Sequence, residues 1–169
     1  MDDLGVLIMP HIPRLRRYAR ALTGERSRAD DLVQDTLERA LRKFHLWRRG
    51  SDLRAWLFTI MHNVFVNQIR SRDPVADAAE LDELMVVAAD GPTDVLDVMD
   101  LDAALRRLPD DHREILLLVG LEQLSYQETA AVLGVPMGTV MSRLSRARER
   151  LRRLLAGESA PAATLKVVR

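Results

Sequence analysis

Apolar residues along this chain recur at three- and four-residue intervals, the spacing of one helix face rather than the alternation of a strand. Leu15, Tyr18, Ala19 and Leu22 mark an amphipathic helix that starts after Pro13 and stops at Gly24. A second helix carries Leu32, Val33, Leu37, Ala40, Leu41 and Phe44, with Ser27 and Asp30 as its expected capping pair. His45-Leu46-Trp47-Arg48-Arg49-Gly50 interrupts the pattern. Ser51 or Asp52 then caps a third helix running through Leu53, Trp56, Leu57, Ile60, Val64 and Ile69 to about Arg70.

Asp73-Pro74 closes this first group, because the residue before a proline avoids the helical region. No turn pattern follows until Gly91-Pro92, so the segment is expected to be a tether or a short helix. Thr93 or Asp94 can cap a fourth helix ending near Leu108. Pro109 suits the first turn of a fifth, with Ile115, Leu116, Leu118 and Val119 on its inner face. Ser125 and Glu128 form a capping-box pair for a sixth, and the last helix runs from about Met137 to Leu155. The expected fold class is all-α. Two small helical domains, 1–72 and 94–156, are joined by a linker at 73–93, and a flexible tail occupies 157–169.

Composition supports the helical reading, with only 4% aromatic residues against 47% hydrophobic ones. The formal net charge of zero conceals a sorting of charges along the chain. Residues 1–72 hold 14 Arg/Lys and 8 Asp/Glu, and residues 103–169 hold 11 and 7. The stretch between, 73–102, holds 10 acids and no Arg or Lys. Two cationic units joined by an anionic strip are the organising feature of the chain, hidden by its overall balance.

Ser125 to Leu151 has the organisation of a helix-turn-helix. Ala130 is small where two helices must approach. Gly134, four residues on, tolerates the positive φ of a tight turn, and Val140, six further, plugs the angle between helices. Val140, Leu144, Ala147, Leu151 and Leu154 share the inner face of the second helix. Thr139, Met141, Ser142, Arg143 and Arg146 are then left near its N-terminal half, the part such helices insert into the major groove. Arg143 and Arg146 are the candidates for base edges, with Thr139 and Ser142 shared between bases and phosphates. A plain helical hairpin with a solvated basic face is the alternative, since cations suit helix C-termini anyway.

The fragments Arg28-Ala-Asp-Asp-Leu-Val-Gln-Asp-Thr36, Leu53-Arg-Ala-Trp-Leu-Phe-Thr-Ile60 and Leu124 to Arg150 closely resemble the extracytoplasmic-function (ECF) sigma factors. The likeness covers about residues 12–72 and 95–155, and the phrases around Trp47 and Asp52–Trp56 look most like general-stress-response members. It implies a transcription initiation subunit that binds core RNA polymerase, at the clamp of the largest subunit and the flap of the second. On this likeness Asp31, Leu32, Gln34, Asp35, Thr36 and Arg39 form the clamp-docking surface; a helix face mixing apolar and polar groups suits a coiled-coil partner. Leu32 and Val33 could equally be core. The third helix resembles the element that melts and reads −10 DNA. Asn63 and Asn67 lie four apart on one helix face with Arg70 one turn on, and amides can bond the edge of an unstacked base. Trp47 and Arg49 could hold a flipped base by stacking and charge, although Trp47 and Trp56 could also be packing residues. The last helix resembles the −35 reader, with one departure: position 141 is Met where relatives often carry a cation, so a thymine methyl becomes its candidate partner. The linker resembles one that threads near the polymerase nucleic-acid channel, and an anti-sigma factor is the implied regulator.

An enzyme is not expected. His11, His45, His62 and His112 are scattered without metal-ligand spacing, there is no cysteine, and neither a phosphate loop nor a nucleophile elbow occurs. No cofactor or metal is implied. The acidic N-terminus does not suit a signal peptide and no run approaches the ~20 apolar residues of a membrane span, so a cytoplasmic protein without membrane insertion is expected. Two other functions compete with the sigma reading. A dimeric helix-turn-helix regulator would leave residues 12–72 without a use. A sigma mimic that only binds a regulator should have lost Arg143 and Arg146.

Overall fold

The computed structural model describes residues 3–72 and 96–157. Among them every regular element is helical: α1 (Asp3–Ile8), α2 (Ile12–Thr23), α3 (Arg26–Lys43), α4 (Leu53–Arg72), α5 (Leu96–Arg107), α6 (Asp110–Leu116), α7 (Tyr126–Leu133) and α8 (Met137–Leu155). The expected linker, the caps at Thr93 and Asp94, and the tail beyond Gly157 lie outside the described residues.

The first unit is built from α2, α3 and α4, in contact in chain order. Gly24 ends α2 at φ 72°, its N–H donating to the Arg20 carbonyl, so the glycine stop falls where the pattern placed it. Tyr18 and Phe58 meet edge to face at 5.0 Å between ring centres, tying α2 to α4 among Leu15, Leu22, Leu32, Leu57 and Met61, all fully buried. Asp52 caps α4 by accepting from the backbone N–H groups of Arg54 (3.0 Å) and Ala55 (3.4 Å).

Two local expectations fail. Ser27 and Asp30 do not cap α3, because the helix begins one residue earlier at Arg26 with Glu25 extended before it, so both lie within its first turns. The helix expected to start after Pro13 starts instead at Ile12. Pro10 sits in the first turn of a 3-10 segment (Met9–His11) and Pro13 in the first turn of α2, so both fall where a missing N–H costs nothing and α1 forms in front of them.

In the second unit Pro109 stands just ahead of α6, one place outside the first turn expected of it. The helix widens after Leu116 into a π-helical turn (Leu117–Leu121), closed by the Glu122 N–H bonding the Leu117 carbonyl at 3.0 Å. Gln123 follows at φ 54°, the one non-glycine residue with positive φ among those described. Both halves of the predicted capping box at α7 form: Ser125 Oγ accepts from the Glu128 N–H (3.0 Å), and Glu128 accepts from the Ser125 N–H (3.2 Å). Gly134 takes φ 65°, Val140 is fully buried behind it, and α8 then runs over the predicted span.

The two units touch. Helix α2 contacts α5 and α6, and α4 contacts α7. Arg113 anchors this junction, with a side chain only 11% exposed. Its guanidinium donates to the carbonyls of Leu105 (2.7 Å), Arg106 (2.9 Å) and Leu108 (2.8 Å), to Asp110 (3.2 Å), and across the junction to the Leu22 carbonyl (2.9 Å).

Candidate nucleic-acid interface

Helix α8 buries Val140, Leu144 and Ala147 against the second unit, with Leu151 and Leu154 half-buried behind them. That inner stripe leaves Met141, Ser142 and Arg146 exposed and Thr139 and Arg143 half-exposed, so the five candidate −35 residues share the outer side of one helix. Arg143 rests 3.9 Å from Asp111 with 29% of its side chain exposed, and Ser142 Oγ donates to the Thr139 carbonyl at 3.2 Å. Both attachments are weak enough to exchange for a base or phosphate. Arg143, Arg146 and Arg150 all act on the His112 ring beside this surface. Burial lowers the proton affinity of His112, Asp111 raises it, and Arg150, Arg143 and Arg146 lower it further.

On α4, Asn63, Asn67 and Arg70 are exposed, so the structure keeps the three polar −10 candidates available on one helix. Arg49 is exposed in the loop ahead of them. Trp47 is less free: its ring stacks on Phe44 at 5.4 Å, and its Nε1 is buried with no partner among the described residues. One face is thus already covered, and Phe44 in turn meets Trp56 edge to face at 6.5 Å.

The candidate polymerase surface on α3 needs correction. Leu32 and Thr36 are fully buried and cannot meet a partner; Thr36 satisfies its hydroxyl on the Leu32 carbonyl at 2.6 Å. Val33 is also core. Asp31, Gln34 and Asp35 are exposed and Arg39 half-exposed. With Arg42, Asn67 and Gln68, the groups Asp31, Asp35 and Arg39 line an open cleft between α3 and α4 of about 530 Å³. Gln68 bridges it by donating to Asp35 at 2.7 Å.

The junction between units holds groups that pattern reasoning did not single out. Glu114 is buried on α6 and pairs with His62 Nδ1 of α4. Glu122 is also buried, its side chain 0% exposed, with Arg17 of α2 at 3.5 Å and its other carboxylate oxygen without a donor among the described residues. Arg54 of α4 donates to the Glu122 carbonyl at 3.2 Å and lies 3.8 Å from Glu128. Charged side chains are expected at the surface by default, so no periodic signal marks two glutamates as internal.

Burial pushes the Glu114 carboxyl above its ordinary range; the hydrogen bond and charge of His62 pull it down, Asp110 pushes it up and Arg143 lowers it. The folded chain therefore holds this proton more tightly than the unfolded one. Stability from that proton is complete below the ordinary carboxyl range and fades as pH climbs through the raised value. Glu114→Gln, which keeps a polar partner for His62, should flatten that slope. Thermal melts from pH 4 upward read it, and parallel wild-type and variant curves would refute the assignment.

Among the described residues there is no cluster that could hold a metal ion, and no helix is long and apolar enough to cross a membrane.

Comparison with known proteins agrees with this geometry. Residues 8–62 match the family model described as the sigma2 domain of PhyR, and residues 99–151 match sigma-70 region 4. The ECF RNA polymerase sigma factor EcfG of Rhodopseudomonas palustris is 43% identical over 155 residues, covering 91% of this chain and 86% of the relative. The factor SigE of Mycolicibacterium smegmatis is 36% identical over 96% of this chain, which spans 65% of its length. In three dimensions the chain is similar to the sigma factor RpoE in its complex with the anti-sigma factor NepR from Bartonella quintana. The TM-score is 0.73 at 38% identity, covering 94% of this chain and all of that one. With two helical units in the sigma-2 and region-4 order and a basic recognition helix exposed on the second, this chain belongs to the ECF RNA polymerase sigma factors and serves promoter-specific transcription initiation.

Proposed function

We propose that this chain works in the cytoplasm as a non-enzymatic subunit that divides promoter recognition between α4 and α8. Arg143 and Arg146 read base edges of the −35 box in duplex form, Thr139 and Ser142 share bases and phosphates, and Met141 offers its thioether to a thymine methyl. Asn63, Asn67 and Arg70 hold the unpaired −10 strand, with Arg49 supplying charge and the uncovered face of Trp47 supplying a stacking surface. Asp31, Gln34, Asp35 and Arg39 dock on the clamp of the largest polymerase subunit, and the second unit on the flap of the next. The acidic segment 73–93 links the two units through the enzyme. Carrying this reading is one observation: both basic faces, on separate helical units, stand exposed in a single chain.

An anti-sigma protein is the proposed regulator, in keeping with the RpoE–NepR relative, and a general stress response is the proposed setting. A sigma mimic that only binds a regulator is the competing reading. Exposed Arg146 and half-exposed Arg143 favour the DNA-reading function over it.

Reconstitution with core polymerase tests the proposal directly: start-site-specific transcripts that core alone does not make are expected. Asn63→Ala should leave binding to −35 duplex unchanged yet depress open-complex formation, read by permanganate footprinting. Open complexes equal to wild type would remove Asn63 from the site.

A further inference from the structure

Arg143 and Arg146 stand about one turn apart on α8, yet their surroundings differ. Arg146 is exposed and pairs with no carboxylate among the described residues. Arg143 keeps 29% of its side chain exposed and leans toward α6, where its Nε lies 3.9 Å from Asp111 Oδ2. Its charge also acts on the His112 ring and on the buried Glu114 carboxyl, so the guanidinium is drawn in among the polar groups of α6.

The Asp111 carboxylate is itself held in place. Its Oδ1 accepts the His112 backbone N–H at 2.9 Å, which leaves Oδ2 to face Arg143. The approach is to Nε, at the root of the guanidinium. No hydrogen bond among the described residues claims the two Nη groups, and these form the fork that can meet two acceptors at once. Two kinds of acceptor compete for that fork on DNA. A phosphate carries a full negative charge, and on Arg143 it would come within about 7 Å of the Asp111 carboxylate, inside the ~8–10 Å screening length of physiological salt. The N7 and O6 edge of a guanine is neutral and meets no such repulsion. A partner is selected as much by what the wrong one costs as by what the right one gains.

We propose that Asp111 sets the sequence specificity of Arg143: it buttresses the guanidinium from the Nε side, sets its fork against phosphates and favours the neutral edge of a guanine. Asp111 touches no DNA in this role; it is a positioning residue that acts through Arg143. Arg146, with no acid beside it, is open to base and phosphate alike. The role rests on the −35 reading of α8.

The test titrates the full-length chain by fluorescence anisotropy against two duplexes of equal length, across roughly 50 to 200 mM salt. One is the tightest binder selected with the wild-type chain, the other a scrambled version of it. Asp111→Asn keeps an oxygen for the His112 N–H and removes only the charge. It should bind the scrambled duplex about two- to fivefold tighter, the worth of an exposed ion pair. The salt slope on that duplex should steepen by about 0.9, the mark of one further phosphate. Affinity for the selected duplex should not rise, so the ratio between the two falls by at least the same factor. Asp102→Asn on α5 makes the same change of charge at a residue paired with Arg106, and should leave the ratio as in wild type. In an Arg143→Ala background, Asp111→Asn should have no effect, as expected of two residues that act as one unit. An equal gain on both duplexes, or a gain that survives without Arg143, overturns the proposal, because the acid would then only weaken the general attraction to DNA. No gain on the scrambled duplex overturns it too. A wild-type chain that prefers no duplex, or that loses nothing with Arg143→Ala, strikes instead at the −35 reading and takes the role of Asp111 with it.

Discussion

Replacing Arg113 by alanine is expected to destabilise the fold by roughly 3 kcal/mol or more, the largest effect of any single polar substitution named here. The guanidinium fills the angle between α5 and α6 and donates to four carbonyls and one carboxylate, with the Leu22 carbonyl on the opposite unit. An alanine takes this donor from the part-buried Leu22 and Leu108 carbonyls, and each buried unpaired group costs about 1–3 kcal/mol. Burial lowers the proton affinity of Arg113, and Asp110 beside it holds that affinity up. Lysine is no remedy, since a single ammonium cannot reproduce a planar fork spread over five acceptors. Urea unfolding followed by far-ultraviolet circular dichroism measures the loss. A midpoint within error of wild type for Arg113→Ala would show that the carbonyls find water, and the anchoring role would fall.

Arg143→Ala is expected to weaken binding to the cognate −35 duplex by about 1–3 kcal/mol, and to flatten preference at one base pair. The side chain sits among the exposed residues of the first half of α8, and its rest partner, Asp111 at 3.9 Å, is too loose to compete with a bidentate guanine contact. The pattern across sequences tells the two kinds of contact apart: a phosphate contact loses affinity evenly, whereas a base contact, as proposed for Arg143 and Arg146 alike, loses it only on the preferred sequence. Titrations against a panel of single-base variants, at one fixed salt concentration, separate the two. Equal loss on every duplex would move Arg143 from the reading set to the positioning set.

How far these residues could be identified beforehand depended on where their physics was local. The Ser125–Glu128 box, the Gly134 turn, the Asp52 cap and the span of α8 all depend on groups within a few residues of each other, and the pattern carries such information directly. The α3 start failed for the same reason in reverse. Ser27 and Asp30 look like a cap, but the chain turns helical at Arg26 and absorbs both. Thr36 was misplaced because its hydroxyl bonds its own helix, so a polar letter occupies an apolar position. Glu114, Glu122 and His62 were out of reach altogether. Their burial depends on partners 52 and 105 residues away in the chain, and nothing in their immediate neighbours announces it. The exposure of the candidate residues on α4 and α8 is therefore legible, and the junction between the units is not.

The widened turn at Leu117–Leu121 bears on where the −35 reader points. A π-turn inserts one residue into a helical course, and each residue of an α-helix advances the chain by about 1.5 Å and 100°. Everything downstream is rotated by that step relative to α6, like a shaft keyed one notch round. Shortening this stretch by a single residue would preserve the capping box, the glycine turn and the inner stripe of α8, yet would swing the recognition helix to a different bearing. The bearing of α8 is thus set by chain length at a place well before the candidate −35 residues.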